Sequence, residues 1–258
     1  MQITTDYHNL FGRQNATESF FPSTLRLNGV TVGTARADTY SLCLVDLKQV
    51  AGQLLHRGED FSTAYLSEQE HIHFAGYRYP KRRHEWLGGR IAAKTALLLL
   101  KGQTCCPARF RESTILPDRH GRPILRPTAP HCISISHSKG KAVGMAGIRS
   151  SCGTDIQKID PRLLHLTDRF ASDSELRVLD TLPTDPETRL TILWTVKEAL
   201  KKSILHNQPS IFSGIRLQKV QASASGLYLL CTVHNRQAPP VIVYICSSYI
   251  IAHTINHA

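Results

Sequence analysis

The sequence predicts an α+β protein built of two similar halves. Two long helical patterns, over 80–101 and 185–205, each precede a run of strand-like segments, and composition supplies a third observation. The chain has 258 residues, 41% of them hydrophobic and 20% charged. That length suffices for one large domain or two modest ones, each with its own core. The expected division is a loop-rich extension over 1–40, an α+β half over 41–150 and a second over 151–258.

Residues 1–40 mix short apolar pairs with polar residues and show no strong period, hence the expected extension. From Pro80 the text reads PKRRHEWLGGRIAAKTALLLLK, followed by Gly102. Proline near the start, good helix formers inside and glycine past the end predict a helix. Gly88 and Gly89 interrupt it at a cost of ~1 kcal/mol each relative to alanine. Either they let another backbone or a ligand approach closely or the helix is simply imperfect.

His120-Gly121-Arg122-Pro123 is a turn signal. Cys132 to Ser136 alternates Ile133 and Ile135 with Ser134 and Ser136, a half-buried strand with one polar face. Ala142 to Ile148 returns the chain, and Cys152 to Ile159 reads as the third strand of a meander. Residues 173–181 form a short helix. Asp185 then caps a long one, with Pro186 at its first position. Segments 215–220, 227–233, 241–246 and 249–254, rich in Val, Ile, Leu and Tyr, complete the second half as strands.

No apolar run approaches the ~20 residues that cross a bilayer, and the N-terminal residues lack the apolar core of a signal peptide. Cytoplasmic location and no membrane partner are therefore expected. The seven cysteines are odd in number and include no C-x-x-C pair, which argues against a disulfide framework or a zinc site. Net charge is +11, a balance that favours an anionic partner: nucleic acid, a phosphorylated small molecule, an anionic surface or an acidic protein.

Three clusters could carry chemistry. Asp155 and Gln157 lie two apart on a strand and share a face, offering a carboxylate and an amide oxygen to a hard cation; a strand-end Asp in a turn is the plainer alternative. Trp194, Glu198 and Lys202 share one helical stripe. The aromatic implies that the stripe is partly buried, where Glu and Lys need a ligand, a metal or each other. Ser136 and His137 stand at a strand end amid a basic set of Lys81, Arg82, Arg83, Arg90, Lys94 and Arg122. Such groups can hold a phosphate. A Ser–His nucleophile is disfavoured because adjacent residues of a strand point to opposite faces.

Taken in order, the motifs say more. Arg82-Arg83-x-Glu85-Trp86-Leu87-x-Gly89-Arg90, Gly121-Arg122-Pro123, Ile135-Ser136-His137-Ser138, Gly153-x-Asp155, Arg169-Phe170 and Trp194-x-x-Lys197-Glu198-Ala199-x-x-Lys202 resemble the Sfp-type 4′-phosphopantetheinyl transferases. The resemblance runs from about Leu66 to Lys202. It implies a monomeric pseudodimer with its active site in the cleft between the halves. It also implies transfer of the phosphopantetheine arm of coenzyme A to a serine of an apo acyl or peptidyl carrier protein, with release of 3′,5′-ADP. Mg²⁺, with Mn²⁺ as an alternative, would be held by Asp155 and Glu198, with Gln157 as a further ligand directly or through water. Arg83, Arg90, Arg122, Ser136 and His137 would contact the nucleotide and its 3′-phosphate. Lys202 would reach the pyrophosphate, and Glu198 would act as base.

Two departures stand out. Gln157 occupies a position where many members of the family carry a second acid, and Glu68 to His73 is acidic and histidine-rich where they are basic. His71-x-His73 reads either as a metal pair or, the favoured reading, as two surface histidines. A metal-dependent nuclease and a basic nucleic-acid-binding module are the rival classes. The second is disfavoured because aromatics are only 7% of residues and none interleave with the basic run.

Overall fold

The computed structural model of the chain describes residues 21–127, 130–148, 151–205, 214–223 and 226–254. Two compact units emerge, Phe21–Cys152 and the residues from Gly153 onward.

In the first unit, β1 (Ser23–Leu27), β2 (Val30–Arg36) and β3 (Tyr40–Asp46) lead into helix α1 (Leu47–Arg57) and the short helices α2 (Glu59–Thr63) and α3 (Glu68–Ala75). The long helix α4 (Pro80–Leu100) follows, then α5 (Pro107–Glu112) and the hairpin β4 (Thr114–Pro117) and β5 (Pro123–Arg126). Strands β6 (Cys132–Ser138) and β7 (Lys141–Gly147) close an antiparallel sheet of order β1-β2-β3-β7-β6.

The expected extension is thus corrected over its second half, because residues 23–36 are two paired strands; residues 1–20 lie outside the described residues. The turn between the strands is Asn28-Gly29, both at positive φ, as a two-residue hairpin turn requires. Val30 and Val32 of β2 are fully buried, so the hairpin is anchored by its alternate residues.

Helix α4 lies on this sheet, and its glycines set the distance. A Cβ on Gly144 of β7 would stand 2.2 Å from the backbone nitrogen of Ala93, and one on Gly88 would stand 2.2 Å from the Leu47 side chain. The expected approach of another backbone is found at neither Gly88 nor Gly89, although both are closely packed. The neighbours are side chains of the protein itself, Leu47 and Ile135.

In the second unit, β8 (Thr154–Lys158) precedes a 3₁₀ turn (Pro161–Leu166), α6 (Thr167–Phe170), α7 (Asp173–Leu179) and the long α8 (Pro186–Ile204). Asp185 caps α8, its carboxylate accepting from the Thr188 backbone nitrogen at 2.8 Å. Strands β9 (Ile215–Ser223), β10 (Gly226–Val233), β11 (Arg236–Gln237), β12 (Val241–Cys246) and β13 (Tyr249–Thr254) follow. The sheet runs β9-β10-β12-β13-β8, with β11 extending the β12 edge of β10.

The expected meander is corrected here. Both edges of β7 are taken, by β3 and β6, so β8 pairs with β13 instead. Leu193, Val196, Leu200 and Ile250 are among the residues fully buried in the core of this unit, each worth ~1.5–3 kcal/mol.

Candidate active site

The Gly153-x-Asp155 motif works through the backbone. A Cβ on Gly153 would stand 2.0 Å from the Ala199 carbonyl oxygen and 2.9 Å from the Ser203 nitrogen, so only glycine lets β8 approach α8 this closely. Two residues on, Asp155 is 6% exposed and meets the α8 side chains. The Lys202 ammonium donates to Asp155 Oδ1 at 2.7 Å and to the Thr154 carbonyl at 3.2 Å. Glu198, one turn before Lys202, is partly exposed, and Lys201 lies 3.9 Å from it. Burial, and then the negative charge of Asp155, raise the Glu198 carboxyl above its ordinary range. Gln157 is on the same face of β8 as Asp155 and is half-buried.

Trp194 of the expected stripe packs edge-on against Phe170, ring centroids 5.3 Å apart. The Phe170 carbonyl accepts from the Lys197 ammonium at 2.6 Å. Phe170 thereby touches α8 twice, through its ring at Trp194 and its carbonyl at Lys197. Glu198 and Lys202 share a stripe, and Lys202 reaches across to hydrogen-bond Asp155 and Thr154 of β8.

Two carboxylates close enough for the charge of Asp155 to act on Glu198, with an amide on the same strand face, suit a hard divalent cation, which takes one or two carboxylates and completes its shell with water and phosphate. Burial and then the charge of Asp155 raise Glu198, and such a cation would relieve the second of these. Among the described residues, no three of His, Cys, Asp and Glu gather as a metal-ligating group.

In the first unit, His137 of β6 faces the start of α4. Its Nε2 lies 3.5 Å from Arg82 Nη1, and its Nδ1 lies 3.7 Å from Glu85 Oε1. Arg83 stands over the Phe74 ring at 4.4 Å. Ser136 points to the other face, and the supposedly polar row of Ser134, Ser136 and Ser138 is buried, all three below a tenth exposed. That row is corrected from a solvated face to an interior one.

Arg90 differs from expectation. Its guanidinium lies 4.0 Å over the Trp86 ring and donates twice to the Ile115 carbonyl, at 3.3 and 3.2 Å. Burial pulls its pKa down to about 10. A guanidinium committed in this way serves the fold. Arg122 sits in the β4–β5 turn, where its side chain donates to Asp118 at 2.7 Å and remains partly exposed. Lys94, counted with the basic set, is buried on Glu70 and on the carbonyls of Tyr65 and Phe110, both at 2.8 Å. The Glu68–His73 segment is α3, closed by a Ser67–Glu70 capping box. His73 is exposed, bonding Tyr77 at 3.2 Å, and His71 is half-buried.

The family model of the 4′-phosphopantetheinyl transferase superfamily matches residues 151–252, the segment that holds Asp155, Glu198 and Lys202. The holo-[acyl-carrier-protein] synthase of Streptococcus agalactiae serotype III is 32% identical over 99 residues, 36% of this chain and 83% of the relative. That of Geobacillus sp. (strain WCH70) is 34% identical over 104 residues, 39% of this chain and 86% of the relative. The chain belongs to the 4′-phosphopantetheinyl transferase superfamily. It is accordingly an enzyme, a 4′-phosphopantetheinyl transferase. Among solved structures, a holo-(acyl-carrier-protein) synthase from Bacillus anthracis str. Ames in complex with CoA (3′,5′-ADP) aligns over 43% of this chain and 96% of its own, at 27% identity and a TM-score of 0.36. No helix among the described residues is long and apolar enough to cross a membrane.

The sequence reading of this transferase passes over Glu175 and gives Lys197 no role. The structure joins them at 2.8 Å, fully buried. The signal lies in Ser172-x-x-Glu175, a capping box, whose glutamate sits 22 residues before a lysine on an apolar helix face.

Proposed function

We propose that this transferase moves the phosphopantetheine arm of coenzyme A to a serine hydroxyl of an apo acyl or peptidyl carrier protein and releases 3′,5′-ADP. The observation that carries the reading is the convergence of Asp155, Glu198 and Lys202 on adjacent stretches of β8 and α8, inside the family-matched segment. The serine oxygen forms a bond to the phosphorus that bears the pantetheine arm. The bond from that phosphorus to the bridging oxygen breaks, and the electron pair leaves with 3′,5′-ADP.

Asp155 and Glu198, with Gln157 directly or through water, would hold Mg²⁺ or Mn²⁺, which when bound neutralises charge on the phosphate oxygens. Lys202 provides a second positive charge for the departing phosphate. Glu198 takes the serine proton, directly or through a water, and a raised carboxyl pKa makes it a stronger base. Arg82, whose guanidinium donates to His137 Nε2 at 3.5 Å, gives this end of β6 a cation for a phosphate monoester; we assign Arg82 and His137 the 3′-phosphate, and to Arg83, Arg122 and Ser136 the nucleotide contacts that the family resemblance implies. In this reading the protein is a monomeric pseudodimer whose two halves enclose the cofactor, and it works in the cytoplasm.

The test is mass spectrometry of an apo carrier protein incubated with enzyme, coenzyme A and Mg²⁺, across a panel of carriers. A gain of one phosphopantetheine on the serine, lost in D155A and E198A, is expected. No gain on any carrier sinks the proposal.

A further inference from the structure

Asp155 already has a cation. The Lys202 ammonium sits 2.7 Å from its carboxylate and is held by a second acceptor, the Thr154 carbonyl. Both ends are carried by rigid elements that Gly153 brings into close approach. The Asp155 carboxylate is nearly buried, where a charge without a counter-ion is costly. A divalent cation ligated by Asp155 therefore meets a seated competitor. Gln157, neutral where an acid would add attraction, weakens the divalent ion's side of that contest.

We infer that Lys202 is the resident counter-ion of Asp155, and that arrival of the substrate's pyrophosphate draws the ammonium off the carboxylate and opens it to the metal. The inference rests on the functional reading above, which gives Lys202 the pyrophosphate and Asp155 the metal. One ammonium serves two anions in turn: Asp155 before substrate binds, the phosphates afterwards. Metal and coenzyme A then bind with positive coupling, and by linkage each tightens the other by the same factor. Part of that coupling comes from phosphate oxygens ligating the ion directly. The part due to Lys202 is separable, because it vanishes when the ammonium is removed.

The experiment is Mn²⁺ binding to the full chain, followed by loss of the free-ion electron paramagnetic resonance signal, with and without coenzyme A. In K202M, Mn²⁺ alone should bind about fivefold more tightly than in wild type, as expected for loss of one charge-assisted competitor. The tightening by coenzyme A should shrink by a similar factor. K202Q provides the same readout with a polar side chain should K202M fold poorly, and circular dichroism verifies the fold of each. Mn²⁺ binding alone that is unchanged or weaker in both variants overturns the inference. D155N separates the two levels. If it abolishes binding while the Lys202 variants gain nothing, the metal reading stands and the counter-ion role falls. If D155N leaves Mn²⁺ binding unaltered with and without coenzyme A, the metal reading fails and takes the inference with it.

Discussion

Lys197 and Glu175 form an ion pair at 2.8 Å from which solvent is excluded on both sides. Glu175 also accepts from the backbone nitrogens of Leu217 and Ser172, each at 2.9 Å. The first unit repeats the device: Glu70 takes Lys94 of α4 and the backbone nitrogens of Ile115 and Ser67, each at 2.9 Å. In both units the glutamate closes a capping box, and the lysine donates to the carbonyl two residues before the cap, Tyr65 or Phe170. Each long helix is thereby locked to the short helix before it and to the strand after it.

Breaking such a pair on one side leaves a buried charge. K197M or E175Q should each cost ~3–5 kcal/mol, whereas the double replacement E175L with K197M should recover most of that loss. Urea unfolding followed by tryptophan fluorescence checks it. Singles that cost under 1 kcal/mol would contradict the buried-pair account.

The same carboxylate fixes an acid limit. Burial alone would push Glu175 up, but the hydrogen bond from Lys197 and those from the backbone outweigh it and hold the carboxyl below its ordinary range. A folded-state pKa below the unfolded value of ~4.3 contributes stability that is present above that pH and lost as pH falls through the folded value. Wild-type stability should therefore decline from about pH 4–5 downward, and E175Q should flatten that slope. Unfolding free energies measured at stepped pH values decide it.

Much of the fold is legible in the sequence. Proline, caps and glycine announce α4 and α8, because capping chemistry is local and specific. The hairpin of β1 and β2 is missed, although Asn28-Gly29 marks it, because the five residues of β1 include no buried position and give no clear apolar alternation beside the seven-residue β2. The pairing of β8 with β13 is not local information: it depends on β3 having filled the far edge of β7. The spacing of Asp155, Glu198 and Lys202 can be read from sequence, but that Lys202 turns to Asp155 rather than to Glu198 cannot. That choice is made by the close approach of β8 and α8 at Gly153. Buried Lys94 and Lys197 look in sequence like members of charged helix faces, and only their partners on distant segments reveal them as core.

Gly153 should be intolerant of substitution. In G153A the new methyl meets the Ala199 carbonyl, backbone that cannot swing aside. We expect a loss of ~2–3 kcal/mol of stability, with turnover falling more than the stability loss explains, because Asp155 shifts relative to Lys202. G89A meets only the γ2 methyl of the Ile135 side chain, at 2.7 Å, and no backbone, and should cost less. Thermal unfolding beside the mass-spectrometric transfer assay ranks the two, and equal losses would contradict the backbone-approach argument.

Glu198 provides a test of site electrostatics that needs no substrate. Burial and Asp155 push its carboxyl up, while Lys201 and Lys202 pull it down. Removing Lys201, exposed enough to be dispensable for packing, takes away one pull. In K201M the Glu198 carboxyl should titrate at higher pH, by carbon-13 NMR of the side chain. A base must be deprotonated to act, so the acid limb of the pH–rate profile should move up with it. In D155N the titration should move the opposite way. Shifts of the wrong sign in either variant would show that Asp155 and Lys201 do not set the charge state of Glu198.

Gln157 is the last lever. It lies on the Asp155 face of β8 and is half-buried, and it supplies an oxygen without a charge. Q157E adds a carboxylate to a site whose resident carboxylates already repel, so without a divalent ion it should push the Glu198 carboxyl still higher. With the ion present the added charge becomes attraction. The metal concentration for half-maximal transfer should fall several-fold, and Mn²⁺ should bind more tightly before coenzyme A is added. The outcome also weighs Lys202: a third acid strengthens the hold on ammonium and divalent ion alike, but the doubly charged ion gains about twice as much from each added negative charge. A half-maximal metal concentration in Q157E that is unchanged or higher would mean that the strand face of Asp155 is not where the metal sits.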